Sequence, residues 1–361
     1  MSGIRVGIHG ASGPVGRELC RLLLGHPAVA TIIPASRGAE PLERVHRNLL
    51  GSGLTFSDPQ MLLESADELD VVFVASPAGE AMELAPRMLA AGVRVIDLGG
   101  DFRFADPTLY ERVYHIAHSA PQLLERAVYG VTELERDRVA RSDLIANPGC
   151  YAITAILALA PLLAEHAPDS ISIHAINGTT GAGTTPRREV MHAAAAGDML
   201  PYNLDAHRHA PELEDQLGRL ADRPVQVELS TAHGPFARGI YLLASLPAAD
   251  GRCATISREA LTDLYHNRYG RGDTGEFFVR INDHPRRLSG NAKEYDIYPS
   301  MASVTGSNFC HIGLDYDAGR GVIKVVAVTD NLVKGAAGSA IQNMNVMLAL
   351  DEREGISHYG L

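Results

Sequence analysis

A glycine-punctuated turn between a strand and a helix, at the start of the chain, constrains the fold most. Ile4-Arg5-Val6-Gly7-Ile8 reads as a buried strand, Gly10-Ala11-Ser12-Gly13-Pro14-Val15-Gly16 follows it, and a helix is predicted from about 15 to 24. Glycines let backbone N–H groups approach a pyrophosphate, and the start of a helix favours its negative charge. With a strand before it and a helix after it, this turn is a candidate dinucleotide site contacted by Gly10, Ser12, Gly13, Pro14, Val15 and Gly16; a plain strand-to-helix turn is the alternative.

The same rhythm continues with strands predicted over 31–35, 71–75 and 93–98 and a helix over 80–91. Val71-Val72-Phe73-Val74 is apolar without alternation, so both faces of that strand are covered, as in a parallel sheet between helices. Ser76, just after it, joins the predicted cofactor contacts. The second strand ends at Ala35-Ser36-Arg37-Gly38, where an NAD site places a carboxylate against the ribose 2′-hydroxyl. Ser36 and Arg37 offer a hydroxyl and a guanidinium instead, which suit a 2′-phosphate and hence NADP(H).

With 361 residues and 46% apolar composition the chain can bury one large or two medium cores. A formal charge of −11 without a dense Lys/Arg cluster argues against nucleic acid. No window approaches the ~20 apolar residues of a membrane span, so a cytoplasmic enzyme is expected. Cys20, Cys253 and Cys310 read as reduced structural thiols, far apart and without metal-ligand spacing.

A break is predicted near 148, where Asn147-Pro148-Gly149 precedes a long apolar helix. Later strands over 171–176, 225–229, 239–245 and 322–328 give the second part an α+β character. Cys150 falls at the start of that helix, where uncompensated N–H groups favour the nucleophilic thiolate. On placement alone a buried core cysteine is an equal alternative. Asp205-Ala206-His207-Arg208-His209-Ala210-Pro211-Glu212 supplies imidazoles for proton transfer and a guanidinium for an anion, with a helix predicted to open at Pro211 and Glu212. No third ligand pairs with His207 and His209, so a metal is not expected. The loop 178–185, containing Gly181 and Gly183, offers amides and hydroxyls to a phosphate or a nicotinamide, or is simply a flexible hairpin.

Taken together, Asn147-Pro148-Gly149-Cys150-Tyr151, Gly181-Ala182-Gly183, 207–212, 305–310 and 330–338 resemble the N-acetyl-gamma-glutamyl-phosphate reductase family of arginine biosynthesis, within the wider group of aspartate-semialdehyde dehydrogenases. The resemblance implies an α/β fold with a doubly wound Rossmann-type domain over 1–148 and a catalytic and oligomerisation domain over 149–330. The C-terminal stretch 331–361 returns to the first. It implies a Cys150 nucleophile, a histidine acid/base at His207 or His209, and NADPH with Asn331 and Gly335 near the nicotinamide. Arg103, Asn147, Arg208 and Glu212 then lie on the substrate, a small acyl phosphate, and the chain forms a homodimer or homotetramer. Thr184 and Thr185 after Gly183, Ala152 in place of a proline, and Gly99-Gly100 depart from the family pattern. Ala152 and 45–51 are closer to sister reductases acting on substrates carried by a small acidic protein. That alternative, and a non-catalytic NADP-binding regulator, are the rival readings.

Overall fold

The computed structural model describes residues 3–38, 40–165, 168–248, 256–271, 274–287 and 293–360. Cys253 lies outside the described residues. By its contacts the chain divides into two compact units, 1–149 with 335–358 and 150–334 with 359–361.

The first unit runs β1 (Ile4–His9), α1 (Pro14–Leu24), β2 (Val29–Ala35), α2 (Leu42–Val45), α3 (Pro59–Glu64), β3 (Val71–Val74), α4 (Glu80–Ala90), β4 (Arg94–Asp97), α5 (Pro107–Tyr114), β5 (Val128–Tyr129), α6 (Thr132–Arg141) and β6 (Leu144–Ala146). Its six strands lie in the order β2-β1-β3-β4-β6-β5 and every pair is parallel. All of Val71 to Val74 is buried, as a strand covered on both faces requires. β1 has β2 on one side and β3 on the other, so the strand order reverses at its C-terminal end, the place where open α/β sheets bind ligands.

The chain returns to this unit through a closing helix, Gly338–Met347. Buried amides hold it there. Asn343 Nδ2 donates to the Gly130 carbonyl at 3.0 Å while its Oδ1 accepts from Thr132 Oγ1 at 2.8 Å, and Gln342 Nε2 donates to Glu133 at 3.1 Å. The return comes later than the expected residue 331. Residues 331–334 stay with the second unit, because Asn331 is bonded to Gly239 and Thr180, and 359–361 group there too. A π turn at Val333–Ala337 leads into this closing α-helix.

The second unit runs α7 (Cys150–Glu165), β7 (Ser170–Asn177), α8 (His192–Ala195), β8 (Leu200–Tyr202), α9 (His209–Ala221), β9 (Gln226–His233), β10 (Ile240–Pro247), α10 (Arg258–Tyr269), β11 (Val279–Asn282), β12 (Cys310–Asp317) and β13 (Val322–Thr329). Its seven-stranded mixed sheet has the order β11-β12-β13-β10-β7-β9-β8. Burial alternates along β10 and β7, unlike β3, so helices cover one face only. That cover is α7, buried at every position from Tyr151 to Leu163 and packed on β13, β10, α9 and α10. Pro161 has no N–H for the carbonyl four residues back, and Tyr269 of α10 supplies the missing donor, its hydroxyl 2.6 Å from the Leu157 oxygen. Tyr265 donates likewise to Ala158.

Candidate active site

In the first unit the turn after β1 has the backbone a dinucleotide needs. Gly10 has φ +80°, and a Cβ there would lie 2.5 Å from the Ala75 carbonyl oxygen. A Cβ on Gly16 would meet the Ala11 backbone at 2.5 Å, so only glycine lets α1 pack this closely on the turn. Gly13 is the cap residue of α1 and brings no side-chain hydrogen bond, with Pro14 beginning the helix. The first-turn N–H groups therefore have no side-chain cap, the arrangement that suits a pyrophosphate. Ser12, Gly13, Pro14 and Val15 are partly exposed on this turn, and His46 Nε2 holds its Ala11 carbonyl at 2.8 Å.

Ser36 and Arg37 follow β2 as expected. The Ser36 hydroxyl accepts from the Gly38 N–H at 3.3 Å. Arg37 does not stand open: its Nη2 donates to Glu80 Oε1 at 2.5 Å. Ser76 Oγ lies 3.3 Å from His9 Nδ1 at the end of β1.

Two residues expected on the substrate have backbone or helix work in this unit. Arg103 is buried and donates through Nε to the Asn147 carbonyl at 3.0 Å and through Nη2 to the Leu98 carbonyl at 3.1 Å. The Asn147 amide donates to the Ala336 carbonyl at 3.3 Å and Ser339 Oγ at 3.1 Å, and its oxygen accepts from Asn343 at 3.1 Å. Both groups therefore fix the segment that leads to Cys150. Beside them Asp97 accepts the N–H groups of Gly99, Gly100 and Phe102. Burial first, and then Asp101, raise its carboxyl to about 6, while Arg103 pulls it down.

In the second unit Cys150 is the first residue of α7 and is partly exposed, whereas Cys20 and Cys310 are buried. Burial pushes the Cys20 thiol up to about 12, the behaviour of a packing cysteine. The carbonyl of Cys150 accepts from Thr154 Oγ1 at 2.9 Å, and that hydroxyl lies 2.7 Å from Thr329 Oγ1.

The next residue, Tyr151, turns its ring to two imidazoles, with centroids 5.5 Å from His207 and 5.8 Å from His209. The two imidazoles are themselves 4.8 Å apart. α9 begins at His209, two residues before the predicted start at Pro211, because the His207 side chain serves its first turn: Nδ1 accepts the His209 N–H at 3.1 Å. That bond leaves the neutral His207 ring its proton on Nε2. Burial first, then Arg208 and His233, push His207 down to about 4, so it is neutral near pH 7. Arg208 is exposed between these two buried histidines, and Glu212 is buried one turn beyond His209 on the same helical face.

Three members of this cluster were not singled out by sequence. β9 runs four residues past the predicted 229 and ends on His233, which stacks on Tyr202 at 4.4 Å. The Tyr202 and Tyr151 hydroxyls are 3.0 Å apart. Burial raises the Tyr202 phenol to about 12, and the neighbouring Cys150 adds to the rise. The alternating strand 226–233 extrapolates to His233; nothing local marks Tyr202 or the use of Tyr151.

The glycine loop is a short 3₁₀ turn, Thr179–Ala182, with Gly181 inside it and Gly183 just after. The amides at its start are bonded within the unit: Thr179 N donates to Phe236 and Thr180 N to Ala237, at 2.9 and 3.1 Å. Asn331, expected beside a nicotinamide, accepts from Gly239 N at 2.8 Å and donates to Thr180 Oγ1 at 3.0 Å, so its amide ties this loop down. Gly335 lies in the π turn.

Two family models match the chain: the semialdehyde dehydrogenase NAD binding domain over residues 5–142 and the semialdehyde dehydrogenase dimerisation domain over 150–331. An N-acetyl-gamma-glutamyl-phosphate reductase of Methanopyrus kandleri is 42% identical over 360 residues, covering 98% of both chains. The reductase of the same name from Bacillus cereus is 38% identical over 365 residues, covering 99% of both. This chain belongs to the N-acetyl-gamma-glutamyl-phosphate reductase family. It is an oxidoreductase. Among solved structures, aspartate semialdehyde dehydrogenase II of Vibrio cholerae aligns with a TM-score of 0.70 at 16% identity, covering 97% of this chain and 99% of that one. Aspartate semialdehyde dehydrogenase with NADP from Candida albicans aligns at 0.58 and 16%, covering 96% and 99%. At such identities the likeness concerns the fold. Among the described residues no cluster of His, Cys, Asp and Glu has metal-holding geometry, and no helix is long and apolar enough to cross a membrane.

Proposed function

We propose that this member of the reductase family reduces N-acetyl-γ-glutamyl phosphate to N-acetylglutamate semialdehyde and phosphate with NADPH, through a covalent Cys150 thioester. The observation that carries the reading is the clustering of Cys150, at the first position of α7, with Tyr151, Tyr202, His207 and His209. The turn 10–16 would hold the pyrophosphate, Ser36 and Arg37 the 2′-phosphate, and Ser76 the neighbouring ribose. When bound, the reduced nicotinamide supplies the hydride that takes the thioester to the aldehyde level.

The protein's own part begins with removal of the Cys150 proton. Sγ then bonds to the acyl carbon while the bond from that carbon to the phosphate oxygen breaks, and phosphate leaves with the electron pair. At release the carbon–sulfur bond breaks and the thiolate regains its proton. We assign that proton to His209. His207 is occupied at Nδ1 and held down to about 4, which makes it a poor proton donor near pH 7. Buried Glu212 stands three residues after His209 on one face of α9, and exposed Arg208 meets the anionic end of the substrate.

The reading includes a homodimer in the cytoplasm. The face of the seven-stranded sheet opposite α7 carries half-buried Ile176, Tyr241, Leu243 and Val326 on adjacent strands, an apolar area suited to a second copy.

The reverse reaction tests the function: semialdehyde, phosphate and NADP, followed by NADPH absorbance. Phosphate-dependent turnover that Cys150→Ser abolishes is expected. Equal turnover by that variant would overturn the covalent route, and turnover restricted to a carrier-bound substrate would overturn the substrate.

A further inference from the structure

The end of β2 lacks the carboxylate that an NAD site carries, yet the folded chain brings one to that point from elsewhere. Glu80 is the first residue of α4, on the loop after β3, and its Oε1 accepts from Arg37 Nη2 at 2.5 Å. Its other oxygen lies 3.6 Å from His9 Nδ1 at the end of β1. The backbone around Glu80 is fixed: buried Asp101 accepts the N–H groups of Gly79 at 2.8 Å and Met82 at 3.0 Å. The Glu80 side chain is 28% exposed against 76% for Arg37, so the carboxylate is the anchored member of the pair.

We propose that Glu80 is a specificity-determining residue that limits the preference for a 2′-phosphorylated dinucleotide by competing for Arg37. The inference rests on the reading of Arg37 as the 2′-phosphate ligand. An arriving phosphate must take the guanidinium from Glu80, then remain near a like charge whose backbone is pinned. A ribose 2′-hydroxyl carries no charge and pays neither cost, so the pair narrows the gap between the two dinucleotides. Neutralising Glu80 frees the guanidinium for charge-assisted bonds to the phosphate alone.

Direct binding of NADPH and NADH to the full chain by titration calorimetry tests this with Glu80→Gln, Glu80→Ala and Arg37→Ala. For an exposed pair the expected effect is about a five-fold lower Kd for NADPH in both Glu80 variants, with the NADH Kd within about two-fold of wild type. The NADH value also reports whether each variant keeps its fold. Arg37→Ala is expected to weaken NADPH at least about ten-fold while sparing NADH. If Arg37→Ala behaves so but both Glu80 variants bind NADPH as wild type does, or shift NADPH and NADH in parallel, the inference fails while the reading of Arg37 stands. If Arg37→Ala leaves NADPH binding unchanged, both fall.

Discussion

Asp330 gives the sharpest stability test, because its carboxylate gathers a segment of the second unit around one charge. It is fully buried and meets Arg238 Nε at 3.0 Å and Nη2 at 3.1 Å. It also accepts the N–H groups of Gly306 at 2.7 Å, Leu332 at 2.8 Å and Val333 at 3.0 Å. Asp330→Asn keeps the shape, removes the charge and points an amide donor at other donors. Breaking a buried pair from one side costs about 3–5 kcal/mol, since the guanidinium is left without its counter-charge. Arg238→Met should cost less, because three backbone donors still satisfy the carboxylate. Equilibrium urea unfolding followed by circular dichroism, with slopes compared to exclude a change in the unfolded state, reads both. A loss below about 1 kcal/mol in Asp330→Asn would refute the claim that this charge organises the segment.

His209→Gln should lower kcat by about 10²–10⁴-fold, and His207→Gln by much less, since a glutamine oxygen can still accept the His209 N–H; the reverse order in steady-state assays would reassign the proton to His207. Tyr269→Phe removes the donor that replaces the missing Pro161 N–H and should cost about 1–3 kcal/mol in urea unfolding, a neutral result contradicting that role. His207 titrates near 4 in the folded chain but near 6.5 when unfolded, so the unfolded state takes up its proton first. Its contribution is complete above about pH 6.5 and lost as pH falls toward 4, by about 3 kcal/mol. Asp97, raised to about 6, acts oppositely over the lower part of that window, stabilising the acid side. His207→Gln should therefore lose less stability than wild type between pH 7 and 4, and parallel stability curves would contradict the burial argument.

Much of the first unit was legible because its signals are local. A strand, three glycines and a helix in succession force one geometry on 4–24, and the unbroken apolar run 71–74 announces a strand covered on both faces. Cys150 was legible for the same reason, since Pro148 and Gly149 mark the start of α7 from the sequence side. What escaped was pairing over distance. Nothing near Arg37 in the chain announces Glu80, 43 residues away, and nothing near Asn147 announces Ser339 and Asn343, which lie near the C-terminus. α9 starts two residues ahead of Pro211 and Glu212, themselves strong helix openers, because the group that serves the first turn is a histidine side chain. His233 lies two alternations beyond the expected strand end at 229.

The central claim is a covalent bond to one sulfur, and mass spectrometry of the intact protein tests it most directly. Mixed with N-acetyl-γ-glutamyl phosphate in the absence of NADPH, the wild-type chain should gain the mass of one N-acetylglutamyl group, release one equivalent of phosphate, and carry the addition on the peptide containing Cys150. Phosphate release without any mass gain on that peptide, or the same gain in Cys150→Ser, would contradict it.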